Sequence, residues 1–271
     1  MPWDFIVWIA SFSAMAFGVV LFAVQWLALE IGFWLGRRSV RGKADPPAGV
    51  GMIVGGMLGL LAFVLALTLS HASARFEARR TGALAEANAI GTAWLRAKAI
   101  GHPGGDAIAA KLADYTQLRI DFIRARPEPA GLAELNARTN AAQTDIWRHM
   151  TAIAHDRQDP VVASLMAALN EMFDRATAER FAFAFAIPPL LLWLIVGLAV
   201  ASITGVGYEL GLRGASLRLL SMVLIGMWTV VATLILDLGS PRLGSIRTNV
   251  AIYEWTLTGF AAGGSAAPAL R

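Results

Sequence analysis

Glu30, Glu86, Asn88, Thr92, Arg96, Asp237 and Arg242 are the polar residues whose surroundings or spacing in the chain suit them for chemistry. Glu30 and Asp237 each stand at the end of a long apolar run. A carboxylate within a bilayer is costly to keep, which makes both candidates for function. Glu30 precedes Arg37 and Arg38, so it either snorkels to an arginine at the interface or lines an ion path. Asp237 precedes Pro241 and Arg242, where it either closes a turn or salt bridge or stands on an ion path. Asn88, Thr92 and Arg96 fall four residues apart and share one helix face. With Glu86 they make either a buried polar network or a ligand or ion site. Gln25 is suited to hydrogen-bond across helices.

Signals for catalysis are weak. The chain has no cysteine, which removes disulfides, thiolate nucleophiles and cysteine-held metals. Asp145 and His149 have helical spacing but offer two metal ligands without a third. His71, His102 and His155 have no partner arrangement that suggests a shuttle or triad. No glycine-rich phosphate loop follows a strand, because no strand is predicted. No residue is assigned a catalytic, cofactor-binding or metal-binding role, and neither an enzyme nor a cofactor is expected.

These residues need elements to position them, and composition says of what kind. The chain has 271 residues, 56% of them hydrophobic and 15% charged. Soluble domains carry about 25% charged residues. Of the 42 charged residues, 27 lie between residues 73 and 180, and the flanks are long and nearly uncharged. That pattern predicts membrane spans around one polar insert. Within the insert 14 basic residues balance 13 acidic ones, so no basic stripe exists for a phosphate backbone and no nucleic-acid partner is expected.

Four segments reach the roughly 20 apolar residues that a bilayer core requires: about 5–35, 49–72, 181–203 and 217–238. In the second, Gly51, Gly55 and Gly59 recur every four residues. Such a row lets another helix approach closely, from the same chain or from a second subunit, or forms a pore-lining hinge. Trp3, Trp8, Trp26, Trp34 and Trp193 read as interfacial anchors and span packing. The insert, 73–180, reads as helices broken at Gly101–Gly105 and Pro127–Gly131. Asp106 is placed to cap the helix that ends near Arg126, and Asp159 with Pro160 behind it to start the last one. The predicted fold class is all-α: a polytopic membrane protein with four transmembrane helices and an extramembrane four-helix bundle continuous with spans two and three. The first hairpin is 1–72, the second 181–238, and 239–271 is a C-terminal tail, made of small residues from Gly259 to Arg271 and expected to be disordered there.

Arg37, Arg38, Arg41 and Lys43 crowd the first short connection, and Arg213 and Arg218 the other. By the positive-inside rule both connections are cytoplasmic and the insert lies outside.

Three runs carry a family likeness. Gly59-Leu60-Leu61-Ala62-Phe63-Val64-Leu65 leads on to Arg75-Phe76-Glu77-Ala78-Arg79-Arg80, then comes Glu86-Ala87-Asn88-Ala89-Ile90-Gly91-Thr92, and Leu236-Asp237-Leu238-Gly239-Ser240-Pro241-Arg242 stands near the end. Together they resemble the bestrophin-like family of bacterial membrane proteins, with four spans and a helical middle region. In the last run Gly239 and Ser240 depart from that family's acidic-basic-proline pattern. The resemblance implies a homo-oligomer of the bacterial inner membrane, in contact with the lipid bilayer, and an ion channel or transport-related role with an inorganic anion as ligand. The alternative is a membrane sensor or adaptor whose extracytoplasmic bundle acts through a partner protein.

Overall fold

The computed structural model describes residues 14–40, 49–126, 128–184, 188–215, 217–242 and 245–263. Among them are eight helices and no strand: α1 Ala14–Ser39, α2 Val50–Ala99, α3 Pro103–Arg124, α4 Pro129–Asp156, α5 Pro160–Ala184, α6 Pro189–Arg213, α7 Arg218–Gly239 and α8 Ala251–Ala261. Helices α1, α2, α6 and α7 are long and apolar enough to cross a membrane. The first 13 residues of the chain, with Trp3, Trp8 and the start of the first expected span, lie outside the described residues, as do Arg41 and Lys43. By contacts the chain divides into two compact units, 1–75 with 186–246 and 76–185 with 247–271.

The first unit contains α1, the apolar part of α2, α6 and α7. Its tightest seam joins α1 to α6. A methyl group at Gly32 or Gly36 would stand 2.9 Å from the backbone nitrogen of Tyr208 or Leu212. One at Gly207 or Gly211 would stand 3.0 Å from that of Phe33 or Arg37. Two glycines four residues apart on each helix therefore let backbone meet backbone, as small-xxx-small packing requires. The glycine row of α2 does not play this part within the chain. Gly55 and Gly59 face open space, and Gly51 lies against the Glu209 side chain.

The third span begins later than its hydropathy suggests. Phe181–Ala184 complete the last turn of α5, and α6 starts at Pro189. Pro188 and Pro189 lack backbone N–H groups, so neither can continue a helix arriving from α5. The insert's last helix and the third span are thus separate elements, whereas α2 runs unbroken from its apolar part into the second unit. Gly214, with φ +65°, ends α6 in the left-handed conformation that glycine adopts without strain.

The second unit packs the far part of α2 with α3, α4, α5 and α8 around one core that includes Ile90, Ile108, Leu112, Ile146, Met150 and Leu169. Asp159 caps α5 as expected, its Oδ1 accepting from the Val161 and Val162 nitrogens at 2.8 and 3.0 Å, with Pro160 in the first helical position. At the start of α3 the cap is His102, whose Nδ1 accepts from the Gly104 nitrogen at 2.9 Å. Asp106 instead pairs with Lys98 at 2.5 Å. The expected tail is helical over Ala251–Ala261, and Tyr253 at its start is fully buried. Residues 264–271 of that tail lie outside the described residues.

Candidate functional site

The second unit holds a cluster of buried charges. Arg79, Gly82, Glu86, Ile90 and Ala93 recur along α2 at three- and four-residue steps, so Arg79 and Glu86 sit on the face that also carries the apolar core. Arg119 occupies the equivalent place on α3, after Ile108, Leu112 and Tyr115. Glu179 does so on α5, between Ala176 and Phe183. Arg79, Arg119 and Glu179 are each 1% exposed and Glu86 not at all.

Glu86 is the hub. Its Oε1 accepts from Arg119 Nε at 2.5 Å and its Oε2 from Arg119 Nη2 at 3.1 Å, a bidentate pair. The Tyr253 hydroxyl donates to Oε2 at 2.8 Å. Three donors on one carboxylate offset much of the cost of burying its charge. The Arg119 guanidinium also lies 4.6 Å from the centre of the Phe122 ring. Burial works against the Arg119 charge, but the Glu86 carboxylate more than compensates and raises its pKa above the ordinary arginine value. Burial and the Glu86 charge raise the Tyr115 and Tyr253 phenols, so both remain donors. Glu179 differs from Glu86. Its Oε1 meets no hydrogen-bond donor among the described residues. Burial first, and the Glu86 charge second, push its carboxyl up to about 8 against the pull of Arg119 and Arg79.

Asn88 and Thr92 do not join this cluster. Two residues beyond Glu86 a helix has turned through more than half a revolution. Both are exposed, in an open groove of about 390 Å³ between α2 and α8, walled by Trp94, Leu95, Trp255 and Phe260. Phe260 stacks on Trp94 with ring centres 4.8 Å apart. Arg96 reaches away to the Ser164 carbonyl on α5 at 2.7 Å. The expected network of Glu86, Asn88, Thr92 and Arg96 is therefore split three ways. Lys111 and Arg148 hold Asp145, and the Lys111 hydrogen bond keeps its carboxyl below the usual range.

In the first unit the polar groups form a line. Ser221, Thr229, Thr233 and Asp237 fall at multiples of four along α7. Gln25 of α1, wholly buried, donates from Nε2 to Thr229 Oγ1 at 2.9 Å, the cross-helix bond its position suggested. Gly18 leaves room for Thr233, whose Oγ1 would stand 2.8 Å from a methyl there. A groove of about 600 Å³ opens beside this line, reaching Thr229, Thr233, Asp237 and Ser245. Asp237 takes the turn-closing role: Oδ2 accepts from Ser245 nitrogen and hydroxyl at 3.2 and 2.9 Å, and Oδ1 from Ile246 nitrogen at 3.2 Å. Arg242 is buried in the same unit. Glu30 finds Arg218, at 3.8 Å, rather than Arg37 or Arg38, which lie over the Phe33 and Trp34 rings.

Arg119, Glu179 and Tyr253 escaped the sequence reading, although each lies in an apolar stripe. For Arg119 and Glu179, a charged residue at a core-facing helical position was the available signal.

Four long apolar helices and a separate charged helical unit define a multi-pass helical membrane protein. The bestrophin-like domain model matches residues 13–252, and the chain belongs to that family. No curated protein and no solved structure matches the chain.

Proposed function

We propose that this protein is a non-enzymatic, oligomeric ion channel or transport-related protein of the bacterial inner membrane, with an inorganic anion as its permeant ligand. Membership of the bestrophin-like family over residues 13–252 carries the reading. The surface of α2 supports it. Only 17% of the most apolar stretch of α2 is buried, against 33–39% for the other three membrane helices. Its exposed surface within the first unit includes a strip of small residues, Gly55, Gly59, Ala62, Ala66, Ser70 and Ser73, flanked by the exposed apolar side chains of Leu60, Phe63 and Leu67. Four helices alone pack shut around their own side chains, so a pore needs several copies. A face of small residues is suited to meet neighbouring copies or to line the space between them.

The test is reconstitution into liposomes under a chloride gradient, after the mass of the detergent-purified particle has been measured. The expected result is a ring-sized oligomer that passes chloride, with a reversal potential displaced when Ser70→Glu adds a ring of negative charge. A verified oligomer that carries no current across voltage, pH and calcium would overturn the channel reading. The second reading, a sensor or adaptor, draws support from the groove beside Asn88 and Thr92, whose volume falls in the range of small-ligand sites.

A further inference from the structure

The proposed function gives no part to the buried cluster, of which Glu179 is a member. Its carboxylate oxygen Oε2 rests against the α2 backbone at Gly82, where any Cβ would collide with it. Glycine at that position therefore admits the carboxyl group to the core. Once there, its Oε1 meets no donor among the described residues, and the side chain is 1% exposed. The charged and titratable groups around it come from three other helices: Arg79 and Glu86 from α2, Arg119 from α3, and Tyr253 from α8. Arg119 already grips Glu86 with two hydrogen bonds, and Tyr253 adds a third to the same carboxylate. Arg119 and Tyr253 thus converge on Glu86, and Glu179 is the second carboxyl group beside it.

We propose that Glu179 is a proton-exchange site that latches α5 to α2 at Gly82 while protonated and releases it when ionised. The neutral carboxyl suits a site in which Oε1 meets no donor among the described residues. On ionisation its O–H bond breaks and the proton passes to base in the solvent. The carboxylate then needs water, which it reaches only if the end of α5 moves off Gly82. The upward displacement of its pKa by burial and by Glu86 agrees with this geometry. The sign follows from linkage. In the opened state the group regains an ordinary glutamate pKa of about 4.3 and loses its proton more readily than in the closed state. Opening therefore grows about tenfold per pH unit between those two values and levels off above the higher one. The inference does not depend on conduction and stands or falls separately from it.

Two measurements on the purified full chain test it. Near neutral pH, where ordinary carboxyls with pKa values of about 4 are already ionised, the infrared spectrum should contain a protonated-carboxyl band that vanishes as pH rises through about 8. Glu179→Gln should lack that band. Hydrogen–deuterium exchange, corrected for the intrinsic pH dependence of amides, should show residues 172–184 losing protection toward pH 8 in the native protein. The Glu179→Gln profile should be flat. Glu171→Gln, which alters an exposed carboxylate on the same helix, should behave like the native chain. The proposal is overturned by a native spectrum without the band, or by a Glu179→Gln protein that keeps the band or the native exchange profile. Should Glu179→Gln fail to fold, the native infrared titration decides alone, because a buried carboxyl already ionised at neutral pH has no proton to release.

Discussion

The Tyr253 hydroxyl donates to Glu86 Oε2 at 2.8 Å and joins α8 to the ion pair at the centre of the second unit. Tyr253 stands one position beyond the segment matched by the family model, whereas Glu86 lies within it. Arg124 and Glu254, 2.5 Å apart, make a second and more exposed link between α3 and α8. Tyr253→Phe keeps the ring in its place and removes only the hydroxyl. A hydrogen bond to a charged group contributes about 1.5–3 kcal/mol. Thermal unfolding in detergent should show that loss, and Arg124→Ala should cost much less. Equal effects from the two variants would mean that the surface pair, not the phenol, holds α8.

Breaking the Glu86–Arg119 pair from one side leaves a buried charge. Glu86→Gln and Arg119→Met should each destabilise the protein by about 3–5 kcal/mol. The double variant should be more stable than the sum of the two predicts, because no lone charge remains. A double-mutant cycle on unfolding midpoints checks this, and strict additivity would show that the two residues act independently.

Glycine substitutions should separate two kinds of helix contact. Gly207→Leu drives a side chain into the backbone of α1 and should destabilise each protomer, by about 1–3 kcal/mol or more. Gly55→Leu meets open space within the chain, so protomer stability should stay near native while the size-exclusion profile shifts to smaller particles. An unchanged profile for Gly55→Leu would leave that face to lipid.

The second unit should be most stable on the acid side of neutrality. Lys111 lowers the Asp145 carboxyl, and Arg157 followed by the Val162 N–H lowers that of Asp159. Their stabilising contributions are complete above about pH 4 and vanish as pH falls through the lowered values. Glu179 acts in the opposite sense, and its contribution fades from about pH 4.3 up to about 8. Unfolding midpoints should therefore peak near pH 4–5. A midpoint constant from pH 5 to 8 would remove the Glu179 limb of this argument.

Orientation is open to a direct test in a chain that has no cysteine of its own. Arg38→Cys sits beside the first connection and Ala130→Cys on the insert, both exposed. Positive-inside placement predicts that an impermeant thiol reagent labels position 130 in intact cells and spares position 38. The opposite pattern would put the second unit in the cytoplasm.

What could be read from the sequence was local. Four apolar runs announced the membrane helices, and Asp159-Pro160 announced the start of α5, because a span length and an N-cap are each written in neighbouring residues. Along the sequence the longest glycine row is Gly51-Gly55-Gly59. The interlocking glycines are two shorter pairs, Gly32-Gly36 and Gly207-Gly211, and only three-dimensional pairing shows that they face each other. α8 was hidden by the small residues that follow it, although Tyr253, Leu257 and Phe260 already have helical spacing. The charged cluster assembles from four helices, so no stretch of sequence contains it.

The α1–α6 seam also sets an order of events during synthesis. Tyr208 and Ser39, which hydrogen-bond at 3.2 Å beside that seam, are 169 residues apart in the chain. When α1 has been made, the surface that fits its two glycines does not yet exist. It arrives only after α2 and all of α3, α4 and α5 have been translated. The first helix must therefore wait in the bilayer with its glycine face covered by lipid, and its docking is a late, non-local step that local helix propensity does not hasten. At typical synthesis rates of about 5–20 residues per second, that wait lasts roughly ten to thirty seconds.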